Sequence, residues 1–238
     1  MKAIILAAGI GKRLRGATGE PKCLLKISGL TLLERYLSAL EKAGILDVVI
    51  VVGYRQEMIV DFVGKLNFPG GIKFIENPDF QKGSILSLNR AVGELEGDVL
   101  LMDGDVYFET EILARLVNEE RADLVAVDTT SKSTGEEMMV GINAGRILDI
   151  KRELAGNFDT SGEAVGFYRL GAKASTMLRE ILTEHVEAGE HNLGYEDILP
   201  FLFQSLHFRP LTIDGLRWVE IDFEEDIARA ESIGDIGL

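Results

Sequence analysis

A short loop near the start of the chain combines glycines with basic residues. Gly9 and Gly11 follow an apolar run, and Lys12, Arg13 and Lys22 come shortly after them. Glycines let backbone N–H groups turn toward an anion, while lysine and arginine add three and five donors. The loop therefore predicts a triphosphate site, with Gly11 and Lys12 among its nucleotide-binding residues.

The spacing of this loop matches neither of two common nucleotide-binding motifs. Leu14 stands where the dinucleotide fingerprint needs its third glycine, and the sequence contains no Gly-Lys-Ser/Thr. A Gly-x-Gly alone is equally typical of a tight turn from a strand into a helix, so that alternative stays open.

Two acidic residues follow a second apolar run. Asp103-Gly104-Asp105 comes directly after residues 99–102, where a carboxylate is costly unless it binds a cation or accepts hydrogen bonds. Mg²⁺ takes one or two carboxylates and completes its shell with water and phosphate oxygens. The motif predicts Asp105 as a magnesium ligand and Asp103 beside the nucleotide, although a solvated β-turn explains it equally well.

A second acidic pair, Glu220 and Asp222, stands on a short apolar segment late in the chain. Alternation along a strand places both carboxylates on one face. If that face lies beside Asp105, then Asp105 and Asp222 can share one metal, with Glu220 as a further ligand. The alternative is that Asp222 caps the helix that follows, because aspartate is a favoured N-cap residue.

Apolar and amphipathic segments alternate through the first half of the chain, which indicates an α/β, doubly wound, mostly parallel sheet. Thr31 with Glu34 is typical of a helix start, and Gly44 of its end. We expect strands at 2–6, 48–52, 72–75, 99–102 and 124–127, and helices at 31–44, 55–66, 84–92 and 111–118. Ligands bind at the carboxyl ends of such strands, where both loops lie.

In the second half of the chain, the predicted strands and helices do not alternate regularly. This half predicts hairpin strands at 146–151 and 164–170, helices at 172–187, 195–206 and 223–233, and a strand at 218–221, with Met138-Met139 as loop or core filling. We expect a single domain, 1–238, with a nucleotide-binding half, 1–128, and an acceptor-binding half, 129–238, that elaborates the same sheet.

The composition narrows the function classes. The chain has 25 basic and 39 acidic residues, a net charge of −14, which argues against a nucleic-acid partner. A single cysteine excludes an intrachain disulfide or a cysteine-rich zinc site.

The apolar N-terminal segment is not typical of a signal peptide, because basic residues follow it instead of a cleavage site. The apolar runs also fall far short of the roughly 20 residues that cross a bilayer. We expect a cytoplasmic protein without a membrane partner, and both a monomer and a homodimer stay open.

Residues 6–14, Leu-Ala-Ala-Gly-Ile-Gly-Lys-Arg-Leu, with 21–25, Pro-Lys-Cys-Leu-Leu, resemble the signature of the sugar-phosphate nucleotidyltransferase superfamily. Residues 53–54, 76–78, 87–88 and 218–222 are similar to its branch of small cytidylyltransferases, which act on phosphocholine, inositol-1-phosphate or 2-aminoethylphosphonate. The resemblance implies a Rossmann-like, GT-A-type nucleotidyltransferase fold, CTP or another NTP as donor, and Mg²⁺ as cofactor.

The resemblance also implies residue roles. Matched position by position, it places Leu6, Ala8 and Gly9 at the nucleotide, Gly83 and Ser84 where relatives recognise the base, Arg13 and Lys22 at the phosphates, and Asp105 and Asp222 at the metal. The segment around Gly83 departs from the asparagine-rich version of that branch, which leaves the base less well defined than the reaction.

The predicted acceptor residues come from the second half. Lys151 is placed like a lysine that grips the acceptor phosphate in relatives, although a solvated charged run is an equal alternative. Aromatic and acidic neighbours would suit a choline headgroup, but such aromatics are often core residues. The other candidates are Glu163, Tyr195, Glu196, Asp197 and Trp218.

These features predict a CTP-dependent cytidylyltransferase that modifies a small phosphorylated alcohol and releases pyrophosphate. The alternative within enzymes is a sugar-1-phosphate or molybdenum-cofactor nucleotidyltransferase that uses another NTP. The alternative from another class is a regulatory module that binds a nucleotide without turnover.

Overall fold

The computed structural model describes residues 1–14, 19–234 and residue 236, and for Lys12 it describes the backbone alone. Within these ranges the chain forms thirteen strands and seven α-helices. The strands are β1 (Lys2–Ala7), β2 (Lys26–Ile27), β3 (Leu30–Thr31), β4 (Asp47–Val52), β5 (Gly71–Glu76), β6 (Val99–Asp103), β7 (Val106–Phe108), β8 (Leu124–Asp128), β9 (Met139–Asn143), β10 (Arg146–Lys151), β11 (Thr160–Leu170), β12 (Arg209–Thr212) and β13 (Trp218–Glu220). The helices are α1 (Leu32–Lys42), α2 (Gln56–Val63), α3 (Ser84–Arg90), α4 (Thr110–Asn118), α5 (Ala172–Glu187), α6 (Leu199–Ser205) and α7 (Glu224–Ile233).

A nine-stranded sheet lies at the centre of the described fold. Its main path runs β10-β9-β11-β6-β1-β4-β5, with β8 on β11 and β12 on β8. Strand β1 pairs in parallel with β4 and β6, and β4 pairs in parallel with β5. The predicted doubly wound sheet with a mixed extension is confirmed.

The central strands separate two hydrophobic cores. Nearly all residues of β1, β4 and β6 are apolar, so both faces of these strands can be buried. Ile5 packs into one core with residues from α1, α2, α4 and α7, whereas Ile4 packs into the other with residues from α3, α5 and α6. Helices on both faces thus hold β1 rigidly, and its carboxyl end provides a fixed platform.

Strand β11 connects the two halves of the chain. It pairs antiparallel with β6, β8 and β9, with a register shift between Ala164 and Tyr168. Gly166 lies in this bulge with a φ of +80°, and a Cβ atom there would lie 2.3 Å from Asp103 Oδ2. The glycine leaves room for that carboxylate, while the single domain stays a prediction.

Five strands are not predicted by the sequence: β2 and β3, which have only two residues each, and β7, β9 and β12. Strand β7 has three residues, too few to show a period. Strand β9 contains Gly141, where the Phe158 ring takes the place of a side chain, and Met139, interpreted above as loop or core filling, is a buried residue of this strand. Strand β12 contains Pro210, which is tolerated because β12 lies at an edge.

The helix predictions are confirmed with small shifts of their ends. The Thr31 hydroxyl accepts a hydrogen bond from the Glu34 N–H at 3.1 Å, and the Glu34 carboxylate accepts one from the Thr31 N–H at 2.8 Å. The helix predicted at 195–206 is divided into a 3₁₀ turn, Tyr195–Ile198, and α6. Each helix in the described ranges is too short or too polar to cross a lipid bilayer.

Candidate nucleotide and metal site

The two predicted ligand loops lie side by side at one edge of the sheet. Leu6 of β1 is in register with Asp103 of β6, so both strands end at the same level. The Gly104 N–H donates to the Leu6 carbonyl oxygen at 3.0 Å. A Cβ atom at position 104 would lie 2.8 Å from that oxygen. The close approach of the acidic loop to β1 therefore depends on glycine.

Pairing of β7 with β13 brings the second acidic pair to the same place. Glu220 lies opposite Val106, and the Ile221 N–H donates to the Asp105 carbonyl oxygen at 3.0 Å. One carboxylate oxygen from each of Asp105, Glu220 and Asp222 lies within 4.8 Å of the other two. The three predicted metal ligands thus meet in one group, which we call the carboxylate cluster.

Asp222 does not cap the last helix. The N-cap residue of α7 is Phe223. The Asp226 carboxylate accepts hydrogen bonds from the backbone N–H groups of Asp222, at 3.0 Å, and Phe223, at 2.8 Å. The capping role belongs to Asp226, and the Asp222 side chain faces the cluster instead.

Two predicted phosphate-binding cations contact this cluster. Lys22 Nζ lies 2.9 Å from Asp105 Oδ2 and 2.5 Å from Asp222 Oδ1. Burial opposes the charged form of Lys22, but the two carboxylates outweigh burial and raise its pKa above the ordinary value. Arg13 Nη1 lies 3.3 Å from Asp222 Oδ2, with the Phe223 ring 4.9 Å from its guanidinium carbon. Both cations are held at the edge of the cluster.

The carboxylate cluster suits a hard divalent cation. Carboxylate oxygens are ligands that Mg²⁺ prefers, and the Lys22 ammonium shows that positive charge is stable between Asp105 and Asp222. The Glu220 side chain is exposed, but the surrounding protein removes part of its water. This desolvation, together with the charges of Asp105 and Asp222, raises the pKa of Glu220 to about 8. A cation would relieve that repulsion, so these three residues could hold Mg²⁺.

A basic cleft of about 320 Å³ opens beside the cluster. Gly11 and Asp222 form part of its wall. The cationic side chains that line it are Arg13, Lys22, Lys82 and Arg152. The Lys12 side chain, also predicted at this site, lies outside the described residues. In a chain of strongly negative net charge, such a concentration of cations is suited to a polyphosphate.

Arg152 is a cation of this cleft that is not predicted from the sequence. It donates to the carbonyl oxygen of Glu136 at 2.8 Å, and the Glu136 carboxylate also pairs with Arg13 at 2.9 Å. Its neighbour Lys151 pairs with Asp149 at 3.4 Å and does not line the cleft. The alternation at the end of β10 could have separated the two residues, but the sequence shows only a charged run. The acceptor role of Lys151 stays a prediction that this placement does not favour.

A second cavity, of about 240 Å³, adjoins the cluster and is lined by several residues predicted for the nucleotide and the acceptor. The residues from those predictions are Leu6, Ala8, Gly9, Ser84, Asp103, Tyr195 and Glu196, together with Asp105 and Glu220 of the cluster. Residues predicted for two different ligands therefore share one cavity.

Two carboxyl groups in the wall of this cavity, those of Asp103 and Glu196, have raised pKa values. The Tyr195 hydroxyl donates to Asp103 Oδ2 at 2.7 Å. Burial, and then the charges of Glu196 and Asp105, raise the pKa of Asp103 well above its ordinary value. Burial is also the main cause that raises the pKa of Glu196 to about 7.

Gly83 and Ser84 form hydrogen bonds with the loop at 191–196. The Gly83 N–H donates to the His191 carbonyl oxygen at 3.0 Å, and the Tyr195 N–H donates to Ser84 Oγ at 2.9 Å. A Cβ atom at position 83 would lie 1.9 Å from the Leu193 carbonyl oxygen. Gly83 thus permits the contact between the loops, and Ser84 reaches the cavity.

The remaining predicted acceptor residues line neither cavity. The Glu163 carboxylate accepts a hydrogen bond from Ser131, and the Trp218 ring nitrogen donates to Asp128 at 3.0 Å. The Asp197 carboxylate accepts a backbone N–H within its own turn. These three side chains lie outside both cavities, so their acceptor role stays a prediction.

Comparison with known proteins identifies the family to which this arrangement belongs. Residues 3–190 match the MobA-like NTP transferase domain. The chain belongs to this family. The matched region of the MobA-like chain includes the glycine loop, Lys22 and the Asp105 loop, while the Glu220–Asp222 segment lies beyond it.

Relatives of this MobA-like chain extend the similarity over nearly its whole length. A CMP-5'-(3-aminopropyl)phosphonate synthase from Streptomyces rubellomurinus is 30% identical over 97% of this chain and 38% of its own length. A bifunctional IPC transferase and DIPP synthase from Rubrobacter xylanophilus is 29% identical over 97% of this chain and 51% of its own length. The chain thus spans about half or less of these two relatives. A CTP:phosphoglutamine cytidylyltransferase from Campylobacter jejuni is 23% identical, with 95% of this chain and 98% of its own length covered.

Two solved structures at 22–23% identity show the same fold. The CTP:phosphocholine cytidylyltransferase from Streptococcus pneumoniae has a TM-score of 0.81 at 23% identity, with 98% of this chain and 99% of the other covered. The inositol-1-phosphate CTP transferase from T. maritima has a TM-score of 0.76 at 22% identity, with 97% and 94% covered. These likenesses confirm the nucleotidyltransferase fold.

Proposed function

We propose that this MobA-like chain is a magnesium-dependent cytidylyltransferase. It transfers CMP from CTP to an oxygen of a small phosphorylated acceptor, such as phosphocholine, inositol-1-phosphate or 2-aminoethylphosphonate, and releases pyrophosphate. The observation that carries the proposal is the position of Lys22, whose ammonium joins the carboxylate cluster to the basic cleft. The names of the Streptomyces and Campylobacter relatives support cytidylyl chemistry.

Each part of CTP has a place in this proposal. The triphosphate lies in the 320 Å³ cleft, where Arg13, Lys22, Lys82 and Arg152 supply positive charge. The nucleoside lies in the 240 Å³ cavity, which begins at Leu6, Ala8 and Gly9. The cleft and the cavity both adjoin Asp105 or Asp222, so the α-phosphate comes to lie at the carboxylate cluster.

The reaction needs no protein nucleophile. An anionic oxygen of the acceptor attacks the α-phosphorus in line with the bridging oxygen of the β-phosphate. A new P–O bond forms, the bridging bond breaks, and pyrophosphate leaves with the electron pair. Because the attacking oxygen is already anionic, positioning and charge neutralisation account for the catalysis.

The residues of the cluster and the cleft divide these two tasks. Asp105, Asp222 and Glu220 would hold Mg²⁺, which neutralises charge on the phosphate oxygens when bound. Lys22 and Arg13 stabilise the charge that develops toward the leaving pyrophosphate. Their contacts with Asp222 keep both cations in place before the nucleotide enters.

A matrix of four NTPs and several phosphorylated acceptors tests the proposal through pyrophosphate release. We expect the highest rate with CTP, a requirement for Mg²⁺, and one preferred acceptor. Release with another NTP and a sugar phosphate or a molybdenum-cofactor precursor would support the alternative enzyme. Binding of CTP without release with any acceptor would support a regulatory nucleotide-binding module.

A further inference from the structure

A buried tyrosine bridges the turn that carries Asp105. The Tyr36 hydroxyl, on α1, donates to the Asp103 carbonyl oxygen at 2.6 Å and accepts from the Val106 N–H at 3.0 Å. These two backbone groups flank Gly104 and Asp105. One phenol oxygen from the hydrophobic core thus closes the turn.

The ring of Tyr36 has little freedom to move. It is 1% exposed and packs edge-on against Phe108, at 5.1 Å between ring centroids, and Phe167, at 5.9 Å. Rings packed in this way fix the direction of the C–O bond. The position of the hydroxyl, and therefore the width of the turn, is set by the core.

The turn sets the spacing of the carboxylate cluster. Val106, whose N–H binds Tyr36, lies opposite Glu220 in the β7–β13 pair, and the Asp105 carbonyl oxygen binds the Ile221 N–H. A change in the turn would therefore alter both the direction of the Asp105 side chain and its distance from the β13 residues. Loss of the phenol oxygen would also leave two backbone groups without their partner.

We propose that Tyr36 is a positioning residue for the metal site, and this rests on the proposed function. It holds the 103–106 turn so that Asp105 faces Glu220 and Asp222 at a distance that one divalent cation can bridge. Groups behind a metal ligand commonly change metal affinity or activity by about 10–100-fold when they are removed. Tyr36 lines neither cavity, so its effect must pass through the 103–106 turn.

The chain supplies a matched control. Tyr107 is also fully buried, and its hydroxyl donates a single hydrogen bond to the Gly234 carbonyl oxygen at 2.9 Å. Tyr107→Phe removes one phenol oxygen from the same part of the core without touching the turn. Comparison of Tyr36→Phe with Tyr107→Phe therefore separates a role in the metal site from a general loss of stability.

The test is direct Mn²⁺ binding, measured by electron paramagnetic resonance in the presence of a nonhydrolysable CTP analogue. We expect Tyr36→Phe to weaken Mn²⁺ binding by about tenfold or more and to raise the Mg²⁺ concentration for half-maximal pyrophosphate release by a similar factor. Tyr107→Phe should keep both values within about twofold. Equal Mn²⁺ affinity in wild type and Tyr36→Phe, or equal losses in the two variants, would overturn the proposal.

A second variant covers the case in which Tyr36→Phe does not fold. Phe108→Leu keeps the Tyr36 hydroxyl but removes a ring that holds it, so a weaker shift in the same direction is expected, and an unchanged Mn²⁺ affinity would count against the proposal. Mn²⁺ binding needs no turnover. A chain that binds Mn²⁺ but releases no pyrophosphate would contradict the proposed reaction while the Tyr36 test remained valid.

Discussion

The cations of the basic cleft are held by carboxylates. Lys22 contacts Asp105 and Asp222, while Arg13 contacts Asp222 and Glu136. Such ion pairs fix long side chains in one place, which reduces the cost of ordering them when a phosphate arrives. At the scale of residues, the site is therefore arranged before its ligand binds.

Lys22→Met should reduce kcat by at least about 100-fold, because the variant loses the cation that we propose stabilises the reacting phosphate. Its far-UV circular dichroism should stay that of the wild type. Lys73→Met is the control, since Lys73 is 61% exposed and pairs with Glu94, away from both cavities. A Lys22→Met enzyme with the wild-type kcat would show that this lysine has no role in transfer.

Arg152→Met and Lys151→Met test which of two adjacent cations serves the site. Arg152 lines the cleft, whereas Lys151 pairs with Asp149. Arg152→Met should raise the KM for CTP by about tenfold, the scale of one charge-assisted hydrogen bond, and Lys151→Met by less than about twofold. Steady-state kinetics with both substrates measures this difference. The reverse order, with a raised KM for the acceptor in Lys151→Met, would restore the role that the sequence resemblance implies.

Functional residues could be predicted from the sequence where a charged side chain occurs at a position in the chain that is unusual for it. Carboxylates at the end of a buried strand and cations beside a glycine turn stand out in the sequence, and the structure brings Arg13, Lys22, Asp105 and Asp222 together. Arg152 does not stand out, because its side-chain direction depends on where β10 ends. Tyr36 also resembles an ordinary core residue, since its hydrogen-bond partners are far away in the sequence.

At the scale of elements, the candidate site lies at the carboxyl end of β1, and an ion-pair network lies at its amino end. Lys2 Nζ lies 2.5 Å from the Glu94 carboxylate, and Lys73 of β5 lies 2.6 Å from it. The Glu94 side chain is 15% exposed. Hydrogen bonds from Lys2 and then Lys73 lower the pKa of Glu94 below its ordinary value of 4.5, so the charged carboxylate stabilises the folded state.

Glu94→Gln should lower the free energy of unfolding by about 1 kcal/mol at pH 7. Because the folded-state pKa of Glu94 is lowered, its contribution is complete above about pH 4.5 and disappears as the pH falls through the folded-state pKa. Urea unfolding of both proteins at pH 7 and pH 3 should show the difference shrinking at pH 3. The same difference in unfolding free energy at both pH values would mean that the charge of Glu94 does not cause it. The kcat of Glu94→Gln should equal that of the wild type.

Elements with a clear period or an uninterrupted apolar run could be predicted, as β4 and α5 show. The short strands β7 and β13 matter more for function, because their pairing brings Glu220 to Asp105. That pairing joins residues more than 100 positions apart, and local sequence patterns carry no signal for it. The capping of α7 by Asp226 rather than Asp222 is also decided by tertiary contacts.

The whole molecule concentrates a few positive charges within a strongly negative chain. A net charge of −14 disfavours polyanions elsewhere, so the basic cleft is a selective place for a nucleotide. The insertion of β11 between β6 and β9 joins the later strands to those of the predicted nucleotide-binding half. The sequence indicates the fold class, but the strand order emerges from long-range pairing.

A crystal structure with Mn²⁺ and a nonhydrolysable CTP analogue is the decisive experiment for the proposed site. We expect the triphosphate to contact Arg13 and Lys22, and an anomalous Mn²⁺ peak to lie at Asp105 and Asp222. A nucleotide bound with its phosphates outside the basic cleft, or a Mn²⁺ ion that contacts neither carboxylate, would contradict the central claim.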